Sequence, residues 1–419
     1  MKVCIVGSGI SGLVAAHHLH SNHEVTVFEA ADWVGGHTNT VDVETPAGPL
    51  AIDTGFIVFN EHTYPGFTGL LRELDVPWDD SDMSFSARCE ETGLEYNGTN
   101  FNGLFAQRSN LLSPSFWRMV REIMRFYREA PAILDEPDDK TTLGEYLERG
   151  GYSKLFVEKH IVPMAAAVWS ATPETMYAFP MRFLVQFFQN HGFLRVNDRP
   201  QWLVVRGGSR EYVKRMIVPF RDRIRLNTPI VRVEKKPDGI HVRSTHGDEG
   251  IFDRVILATH ADTSLAMLAD PTPLQSEILG AFRFQKNEAV LHSDPSLMPK
   301  RKRAWASWNY HVAVPSQKPE LPAVTYWMDN LQGLKTQQPY FLTLNRTEAI
   351  DPDLVLRSFQ YDHPIFSTET VLAQGRHGEI DGSDGIHYCG AYWRYGFHED
   401  GVQSAMAVLG NLSEQLQES

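Results

Sequence analysis

Cysteine is scarce in this chain of 419 residues, where Cys4, Cys89 and Cys389 are the three present. Three thiols so far apart form neither a disulfide framework nor a metal-binding cluster. The sequence also lacks an apolar run of the roughly 18 residues that a membrane-spanning helix requires. No small-residue cleavage pattern follows the N-terminus, so we expect no secretory signal peptide and a reducing, cytoplasmic location.

An excess of basic residues is also missing, because 39 Lys and Arg stand against 52 Asp and Glu, for a formal net charge of −13. A protein of this charge repels nucleic-acid backbones, so nucleic-acid binding is not expected. Apolar residues make up 42% of the chain and charged residues 22%, which is typical of a globular enzyme with a large core. The length predicts about two to three domains of roughly 150 residues each.

A glycine-rich loop separates a short apolar run at residues 3–6 from a helical pattern at residues 13–19. In such a loop the first glycine permits a tight turn and the second lets the backbone approach a pyrophosphate. The third lets the helix pack closely on the strand. Free N–H groups and the dipole at the helix N-terminus favour a phosphate. The loop residues expected to bind a cofactor are Gly7, Ser8, Gly9, Ile10, Ser11 and Gly12.

An acidic residue follows at the distance that this loop requires. A second apolar run, at residues 24–28, ends at Glu29, which is 22 positions after Gly7. About 20 positions are expected for a carboxylate that binds a ribose, and an acid there favours an unphosphorylated ribose, as in FAD or NAD. Because strand, loop, helix and acid occur in the correct order, the N-terminal segment is predicted to bind a dinucleotide.

Further segments of the chain resemble one family, that of the flavin-containing amine oxidases, protoporphyrinogen oxidases and phytoene desaturases. These segments are residues 35–38, 52–59, 226–233, 255–261 and 387–402. The resemblance implies that FAD is the cofactor, although His37 stands where the family usually has arginine. The other residues that it assigns to the cofactor are Ala30, Gly35, Gly36, His37, Thr38, Gly55, Phe56, Ile57, Val58, Ile230, Ala258, Thr259, Gly390, Glu399, Asp400, Gly401 and Val402.

The order of these segments implies an α/β fold in which a Rossmann-like FAD-binding domain is interleaved with an α+β substrate domain. Residues 1–60, 200–265 and 380–419 are expected to form the FAD-binding domain. The two remaining stretches, residues 61–199 and 266–379, would form the substrate domain, as in two-domain flavoproteins of the amine oxidase type.

Local patterns predict several elements of the substrate domain. Ser113 followed by proline is a helix start, and Thr142 with Glu145 forms the pattern of a capping box. Residues 154–188 are predicted to be mainly helical. Strand-like runs occur at residues 323–328 and 340–344, and they could form a sheet beneath the substrate cavity.

In the family that the chain resembles, hydride passes from a substrate C–H to N5 of the flavin, and the protein supplies position and electrostatics. His191, His363 and His398 are candidates for proton transfer, and His398 is the predicted catalytic residue because its motif implies a place near the flavin. Phe397 stands where an amine oxidase has one aromatic of its cage. Lys286 is interpreted as a surface lysine, and no metal site is predicted.

Several segments resemble a narrower branch, bacterial flavoproteins associated with methyltransferases that are similar to cyclopropane-fatty-acid synthase. The segments are residues 190–192, 201–209, 304–310, 325–332 and 361–364. This resemblance implies oxidation or desaturation of a lipid acyl chain, such as a methylated fatty acyl group, and a functional link to a fatty-acid methyltransferase. An amine oxidase is the alternative, and a flavin-binding redox sensor without turnover is an alternative of another class.

A basic run precedes two tryptophans, Trp305 and Trp308, in the second half of the chain. On an otherwise acidic protein it is a hypothetical contact with the inner membrane surface. FAD attachment through Cys389 is conceivable, but an apolar run around this thiol indicates a buried, inert side chain. The basic run consists of Lys300, Arg301, Lys302 and Arg303.

Overall fold

The structure is a computed structural model that describes residues 1–46, 48–136, 140–312 and 321–417. Its strands are β1 (Lys2–Val6), β2 (Glu24–Phe28), β3 (Thr40–Thr45), β4 (Gly48–Asp53), β5 (Val58–Phe59), β6 (Trp78–Ser81), β7 (Phe85–Cys89), β8 (Glu95–Asn97), β9 (Trp202–Val205), β10 (Ile224–Arg225), β11 (Ile230–Lys236), β12 (Gly239–Ser244), β13 (Gly247–Phe252), β14 (Arg254–Leu257), β15 (Arg283–His292), β16 (Trp308–Val312), β17 (Ala323–Trp327), β18 (Phe341–Leu344), β19 (Val355–Ile365) and β20 (Ile386–Tyr388). The α-helices are α1 (Ile10–Leu19), α2 (Pro65–Glu73), α3 (Phe101–Leu104), α4 (Pro114–Glu129), α5 (Leu143–Arg149), α6 (Lys154–Phe156), α7 (Val162–Trp169), α8 (Pro173–Tyr177), α9 (Met181–Asn190), α10 (Arg210–Met216), α11 (Ala261–Met267), α12 (Pro273–Gly280), α13 (Met328–Gln332), α14 (Thr368–Gln374) and α15 (His398–Gln417).

A five-stranded parallel sheet joins strands from the beginning, middle and end of the chain, with the strand order β10-β2-β1-β14-β20. Successive side chains of the central strand β1 point to opposite faces, as in any strand. Val3 and Ile5 therefore pack against α1 and α15, whereas Cys4 and Val6 pack on the other side against the core around Phe252. Both faces are covered, which explains why this strand is apolar throughout.

A second, seven-stranded sheet has the order β19-β15-β18-β17-β16-β7-β8 and is antiparallel except for the β16/β7 pair. The largest hydrophobic core of the described chain packs against it and includes residues of the helices between α4 and α9. The parallel sheet and the seven-stranded sheet confirm the predicted α/β fold, a Rossmann-like part joined to an α+β part.

One stretch packs differently from its predicted place. Residues 61–199 were expected in the substrate domain, but Tyr64, Phe67 and Leu71 pack in the same core as α1 and α15. Helix α2 contacts α15 directly. The reason is that the N-terminal turn of α2 donates hydrogen bonds to a carboxylate of α15, which holds the two helices together.

The local patterns of the substrate part are confirmed. Ser113 caps α4 by accepting a hydrogen bond from the N–H of Phe116, and Thr142 and Glu145 form the predicted capping box at α5. The region 154–188 is helical, with a π-helical turn at Val157–Ile161 between α6 and α7. The two strand-like runs form β17 and β18, which are adjacent in the seven-stranded sheet. No helix in the described part of the chain is long and apolar enough to cross a membrane.

Candidate functional site

A cavity of about 530 Å³ lies between the two sheets. At one end it is lined by the loops that follow β1, β2, β14 and β20, which are the carboxyl ends of the parallel strands. At the other end it is lined by side chains of β15 to β19. Ligands of open parallel sheets bind at the carboxyl ends of the strands, so the fold itself places a binding site here.

The glycine-rich loop lines the first end of this cavity and has the steric properties that a cofactor needs. A Cβ atom on Gly12 would lie 2.0 Å from the carbonyl oxygen of Gly7, so the third glycine is required for α1 to pack on its strand. A Cβ on Gly9 would meet nothing within 4 Å, because Gly9 faces the open cavity. Gly9 is also the N-cap of α1, where unpaired backbone N–H groups point outwards.

Glu29 lies directly after β2 and lines the same end of the cavity. Its Oε2 accepts hydrogen bonds from the backbone N–H of Ser8 at 2.8 Å and from the Ser8 hydroxyl at 2.6 Å. Its Oε1 accepts from the N–H of Ala31 at 2.9 Å. These bonds hold the carboxylate beside the loop and leave acceptor capacity on Oε1 for a ribose hydroxyl.

The glycine pair and the Asp-x-Gly segment lie against each other at the centre of the cavity. A Cβ on Gly55 would be 2.1 Å from the carbonyl oxygen of His37, and the N–H of Phe56 donates to that oxygen at 2.7 Å. Gly36 has a φ of 58° and comes so close to Gly9 that its Cβ would lie 3.1 Å from the Gly9 Cα. Three glycine-bearing segments therefore line one cavity.

These observations fit FAD, and comparison with known proteins identifies the family. The model of the flavin-containing amine oxidoreductases matches residues 10–290 of the chain. The chain belongs to this family. The prediction of FAD as the cofactor is confirmed, and the family is one of oxidoreductases, as the sequence predicted. Gly9 and Glu29 would hold the adenosine diphosphate half, and residues near Gly55 would lie along the flavin.

Three similar proteins show the range of the family. An L-amino acid dehydrogenase of Synechocystis is 23% identical over 288 residues, which are 65% of this chain and 59% of that protein. A 1-hydroxycarotenoid 3,4-desaturase of Flavobacterium is 28% identical over 169 residues, 38% of this chain and 29% of the desaturase. The chain thus spans about three fifths or less of these curated relatives. Cyclohexylamine oxidase from Brevibacterium oxydans shares the fold, with a TM-score of 0.72, 16% identity and 99% of each chain covered.

A group of histidines surrounds the middle of the cavity in this flavin amine oxidoreductase. The ring of His37 lies 5.8 Å from that of His363 and 6.3 Å from that of His260. Burial, together with the two neighbouring histidines, lowers the pKa of His37 to about 3, and burial lowers the pKa of His363 to about 4. His37 is therefore neutral, and it could contact a phosphate as a hydrogen-bond donor but not as the cation that arginine provides.

His398, the predicted catalytic residue, lines the cavity but is held by its neighbours. Its Nε2 is hydrogen bonded to the hydroxyl of Tyr212 at 2.8 Å, and that hydroxyl is also bonded to Thr38 at 2.6 Å. The imidazole stacks on Phe56 with ring centroids 3.7 Å apart. Burial lowers the pKa of His398 to about 3. A neutral ring held on both sides is suited to positioning, so proton transfer by His398 stays a prediction.

Most of the residues assigned to the cofactor line the cavity, and the others lie behind its wall. Glu399 accepts hydrogen bonds from the N–H groups of Gly66 and Phe67 at 2.9 and 2.8 Å, and Asp400 accepts from the N–H of Phe397 at 2.9 Å. Both carboxylates are therefore engaged by backbone N–H groups of the protein itself. The predicted residues outside the lining are Gly12, Ala30, Thr38, Ile230, Glu399, Asp400, Gly401 and Val402, and those within it are Gly7, Ser8, Gly9, Ile10, Ser11, Glu29, Gly35, Gly36, His37, Gly55, Phe56, Ile57, Val58, Ala258, Thr259, Gly390 and His398.

The far end of the cavity is mainly aromatic and aliphatic, and sequence reasoning missed part of it. Tyr64 and Met83 had no motif to indicate them. Leu342 lies in a run predicted as a strand beneath the cavity, and His260 lies in the segment after β14, where a parallel sheet places its ligands. Lys286 is exposed, as predicted, because its strand turns Asn287 inwards instead. The apolar and aromatic residues at this end are Tyr64, Met83, Val168, Trp169, Phe187, Phe193, Trp202, Trp308, Tyr326, Leu342, Leu344, Tyr395 and Phe397.

Replacing Glu29 with alanine is expected to lower FAD affinity by about ten- to a hundredfold. The reason is that a hydrogen bond to a charged group contributes roughly 1.5–3 kcal/mol, which the ribose hydroxyls would lose. Titration of the apoprotein with FAD, followed by flavin fluorescence, measures the effect. Ser8→Ala is the control, because it removes a protein partner of Glu29 but keeps the carboxylate. An unchanged dissociation constant for Glu29→Ala would place the ribose elsewhere.

Proposed function

We propose that the protein is an FAD-dependent oxidoreductase that oxidises or desaturates a lipid acyl chain. The observation that carries this proposal is the far end of the cavity, where apolar and aromatic side chains predominate. Burial of apolar substrate surface against such a wall is favourable by about 25 cal/mol per Å², which suits a long hydrocarbon chain. The wall also excludes water from the reacting carbon atoms.

The charges of the cavity support an uncharged substrate at its reacting part. Among the described residues that line it, none is a lysine or an arginine, and the carboxylates are Glu29 and Asp362. Glu29 lies at the end of the cavity assigned to the cofactor, whereas Trp308 and Tyr326 lie at the other end. Burial keeps His363 and His191 neutral, with pKa values lowered to about 4.

One hydrogen-bond donor in this wall has no partner and supports an acyl group as the ligand. The indole Nε1 of Trp308 is buried and makes no hydrogen bond within the protein, and its ring is held edge-on against Tyr326 at 4.8 Å. A buried donor without a partner costs free energy unless a ligand supplies an acceptor. An ester or carboxylate oxygen is such an acceptor, whereas a protonated amine is not.

When bound, FAD supplies the hydride acceptor, N5 of its flavin ring. Transfer of a hydride to the flavin and of a proton to a neutral histidine of the cavity wall, such as His363, would leave a carbon–carbon double bond in the acyl chain. The protein contributes orientation. Trp308 would hold the carbonyl end of the substrate, and Phe187 and Phe397, whose rings stack at 4.8 Å, would confine its hydrocarbon part. We further propose a methylated acyl chain and a functional link to a fatty-acid methyltransferase, on the resemblance of Trp308 and its neighbours to that branch. The carotenoid desaturase among the relatives supports an apolar substrate.

A second candidate, oxidation of an amine, is favoured by one observation. Oδ1 of Asp362 is buried without a hydrogen-bond partner, and Asp362 lines the cavity beside His37 and His363. A carboxylate in that state would stabilise a protonated amine. The aromatic ring of Phe397 is the counterpart of half an amine cage, and Tyr395 also lines the cavity nearby.

Anaerobic reduction of the bound flavin distinguishes these candidates. We expect the visible absorbance of the oxidised flavin to disappear when phospholipids with methylated acyl chains are added in detergent micelles, and mass spectrometry to show the loss of two hydrogens. Cyclohexylamine serves as the amine probe. Rapid bleaching by the amine and none by the lipids would overturn the proposal, and bleaching by neither would favour the sensor without turnover.

Two matched variants sharpen this test. Trp308→Phe should raise the KM for the acyl substrate about two- to tenfold, the effect of one hydrogen bond worth 0.5–1.5 kcal/mol, with little change in kcat. Asp362→Asn should leave acyl oxidation nearly unchanged if the substrate is neutral. A large loss from Asp362→Asn together with no effect of Trp308→Phe would support the amine.

A further inference from the structure

A cluster of large apolar side chains is exposed to solvent between β8 and α4. The exposed fractions are 62% for Phe101, 38% for Leu111, 89% for Leu112 and 39% for Trp117. Single exposed apolar residues are common on protein surfaces, but a contiguous group marks a place of contact with something else. We refer to these four residues as the apolar ridge.

The ridge is held together by a buried ring beneath it. Phe105 is fully buried, and its ring centroid lies 4.6 Å from that of Phe101 and 5.0 Å from that of Trp117. The indole Nε1 of Trp117 donates to the carbonyl oxygen of Leu111 at 2.9 Å. Phe101, Trp117 and the backbone turn that carries Leu111 and Leu112 are therefore held together.

The basic run lies next to the ridge. Helix α3, which begins with Phe101, packs against the turn Lys302–Ala304. The buried carboxylate of Glu95 holds that turn by accepting from the N–H groups of Lys300 and Arg301 at 2.8 and 3.2 Å and from the Arg301 guanidinium at 3.0 Å. Arg301 is thereby neutralised.

The other cations of this run keep their charge available. Lys300, Lys302 and Arg303 are exposed, and none of them has a carboxylate partner among the residues that the structure describes. The overall charge of the protein is −13, so three cations without a carboxylate partner among the described residues form a local exception beside the apolar ridge, although the ammonium of Lys302 also lies 5.9 Å from the ring centroid of Trp305. We call these three residues the basic border.

The two tryptophans that follow the run are not part of this surface. The indole of Trp305 donates to the carbonyl oxygen of Pro299 at 2.7 Å and packs 5.3 Å from the ring of Trp327. Trp308, three residues further on, lines the cavity. The apolar component next to the cations is therefore the ridge around Leu112, which sequence reasoning did not identify.

We propose that the apolar ridge and the basic border together form a docking surface for an anionic lipid bilayer. Apolar side chains that reach below the headgroups, flanked by lysine and arginine at the level of the phosphates, are the arrangement that an interfacial membrane site requires. Residues 304–307 connect the basic border to Trp308, the first residue of β16, which lines the cavity, so the docked face adjoins the wall assigned to an acyl chain. The choice of a bilayer as occupant rests on the proposed function.

Vesicle sedimentation of the FAD-bound protein tests the surface without requiring turnover. We expect binding to vesicles of phosphatidylcholine with phosphatidylserine at low salt, and much weaker binding to phosphatidylcholine alone. The triple variant Lys300→Gln, Lys302→Gln, Arg303→Gln should lower affinity for the anionic vesicles on the order of a hundredfold, since each cation near an anionic surface contributes about tenfold or less.

The pair Leu111→Ser, Leu112→Ser should abolish the part of the binding that survives high salt, because salt screens charges but not apolar burial. Control variants at distant exposed positions, Leu372→Ser and Lys335→Gln, should bind like the wild type. Equal binding by all variants, or no vesicle binding by the wild type, would overturn the docking surface.

Flavin reduction separates this proposal from the proposed function. The ridge variants should still allow reduction by an acyl substrate in detergent micelles, since the cavity is untouched. Loss of vesicle binding with normal reduction in micelles therefore supports docking. Vesicle binding by the wild type without any reduction by lipids would retain the docking surface and reject the acyl substrate.

Discussion

Acidification from pH 7 to pH 5 is expected to unfold this protein, because many of its histidines are buried in the neutral form. His292 and His311 are examples of such buried neutral histidines in the seven-stranded sheet. Nε2 of His292 is hydrogen bonded to Thr343 at 2.7 Å, and Nε2 of His311 is hydrogen bonded to Thr325 at 3.0 Å. Burial is the main cause of the lowered pKa in each case. The pKa values are about 3 for His37, His160, His311 and His398, and about 4 for His191, His292 and His363.

The sign of the effect follows from where each state takes up protons. In the unfolded chain a histidine is protonated below about pH 6.5, whereas these seven stay neutral in the folded state until about pH 4 or 3. Between these limits the unfolded state binds more protons. The free energy of unfolding therefore decreases by about 1.4 kcal/mol for each histidine when the pH is lowered by one unit. Burial raises the pKa of Asp53 to about 6 and of Asp400 to about 7. Because the folded state then binds two protons that the unfolded chain does not bind, these two residues reduce the loss of stability.

Unfolding therefore takes up about five protons in total. The free energy of unfolding falls by roughly 7 kcal/mol for each pH unit below 6.5, whereas a typical protein has a stability of about 5–15 kcal/mol. Urea unfolding of the FAD-bound protein between pH 7.5 and pH 5.5 measures it. His311→Gln should reduce the slope by about one proton, because an amide can bond Thr325 but does not titrate. Leu372→Ser, at an exposed position that does not titrate, is the control and should leave the slope unchanged. A stability independent of pH in this interval would contradict the prediction.

Substitution of Gly12 by valine should prevent formation of a stable FAD-binding part. The added Cβ would lie 2.0 Å from the carbonyl oxygen of Gly7 and 3.2 Å from the Cβ of Ala258, and the first of these atoms is backbone that cannot rotate away. Helix α1 would have to move off β1, and overpacking of this kind costs typically 1–3 kcal/mol and more where backbone must shift. We expect a loss at or above the upper end of that range.

Gly9→Ala is the matched substitution in the same loop. Gly9 has an extended backbone, with φ of −67° and ψ of 178°, and its Cβ would meet nothing within 4 Å, so the apoprotein should unfold at the wild-type temperature. The methyl group would instead occupy space assigned to the pyrophosphate and weaken FAD binding. Thermal unfolding of the apoproteins and FAD titration separate the two effects. Destabilised Gly9→Ala apoprotein, or Gly12→Val apoprotein as stable as the wild type, would contradict this division of roles.

Prediction from sequence succeeded where the physical cause is local. The apolar run of β1, the capping of α4 by Ser113 and the glycine spacing around Gly9 each depend on a few consecutive residues. It did less well with Glu399 and Asp400, whose motif implied the cofactor but whose carboxylates accept hydrogen bonds from α2 and from the start of α15. The partners of Glu399, Gly66 and Phe67, lie more than 300 residues away along the chain, so no spacing rule could indicate them.

The sequence by itself determined the flavin-binding half of this protein, because the loop from Gly7 to Gly12 and Glu29 meet their steric and charge requirements within about 30 residues. The tertiary structure alone decided what lines the rest of the cavity. Trp308, Asp362 and His260 come from separate strands or loops, and only sheet pairing and burial bring them to one cavity and leave polar atoms of the first two unpaired. The same applies to the ridge around Leu112, since exposure is a property of the packed chain and not of any residue in its sequence.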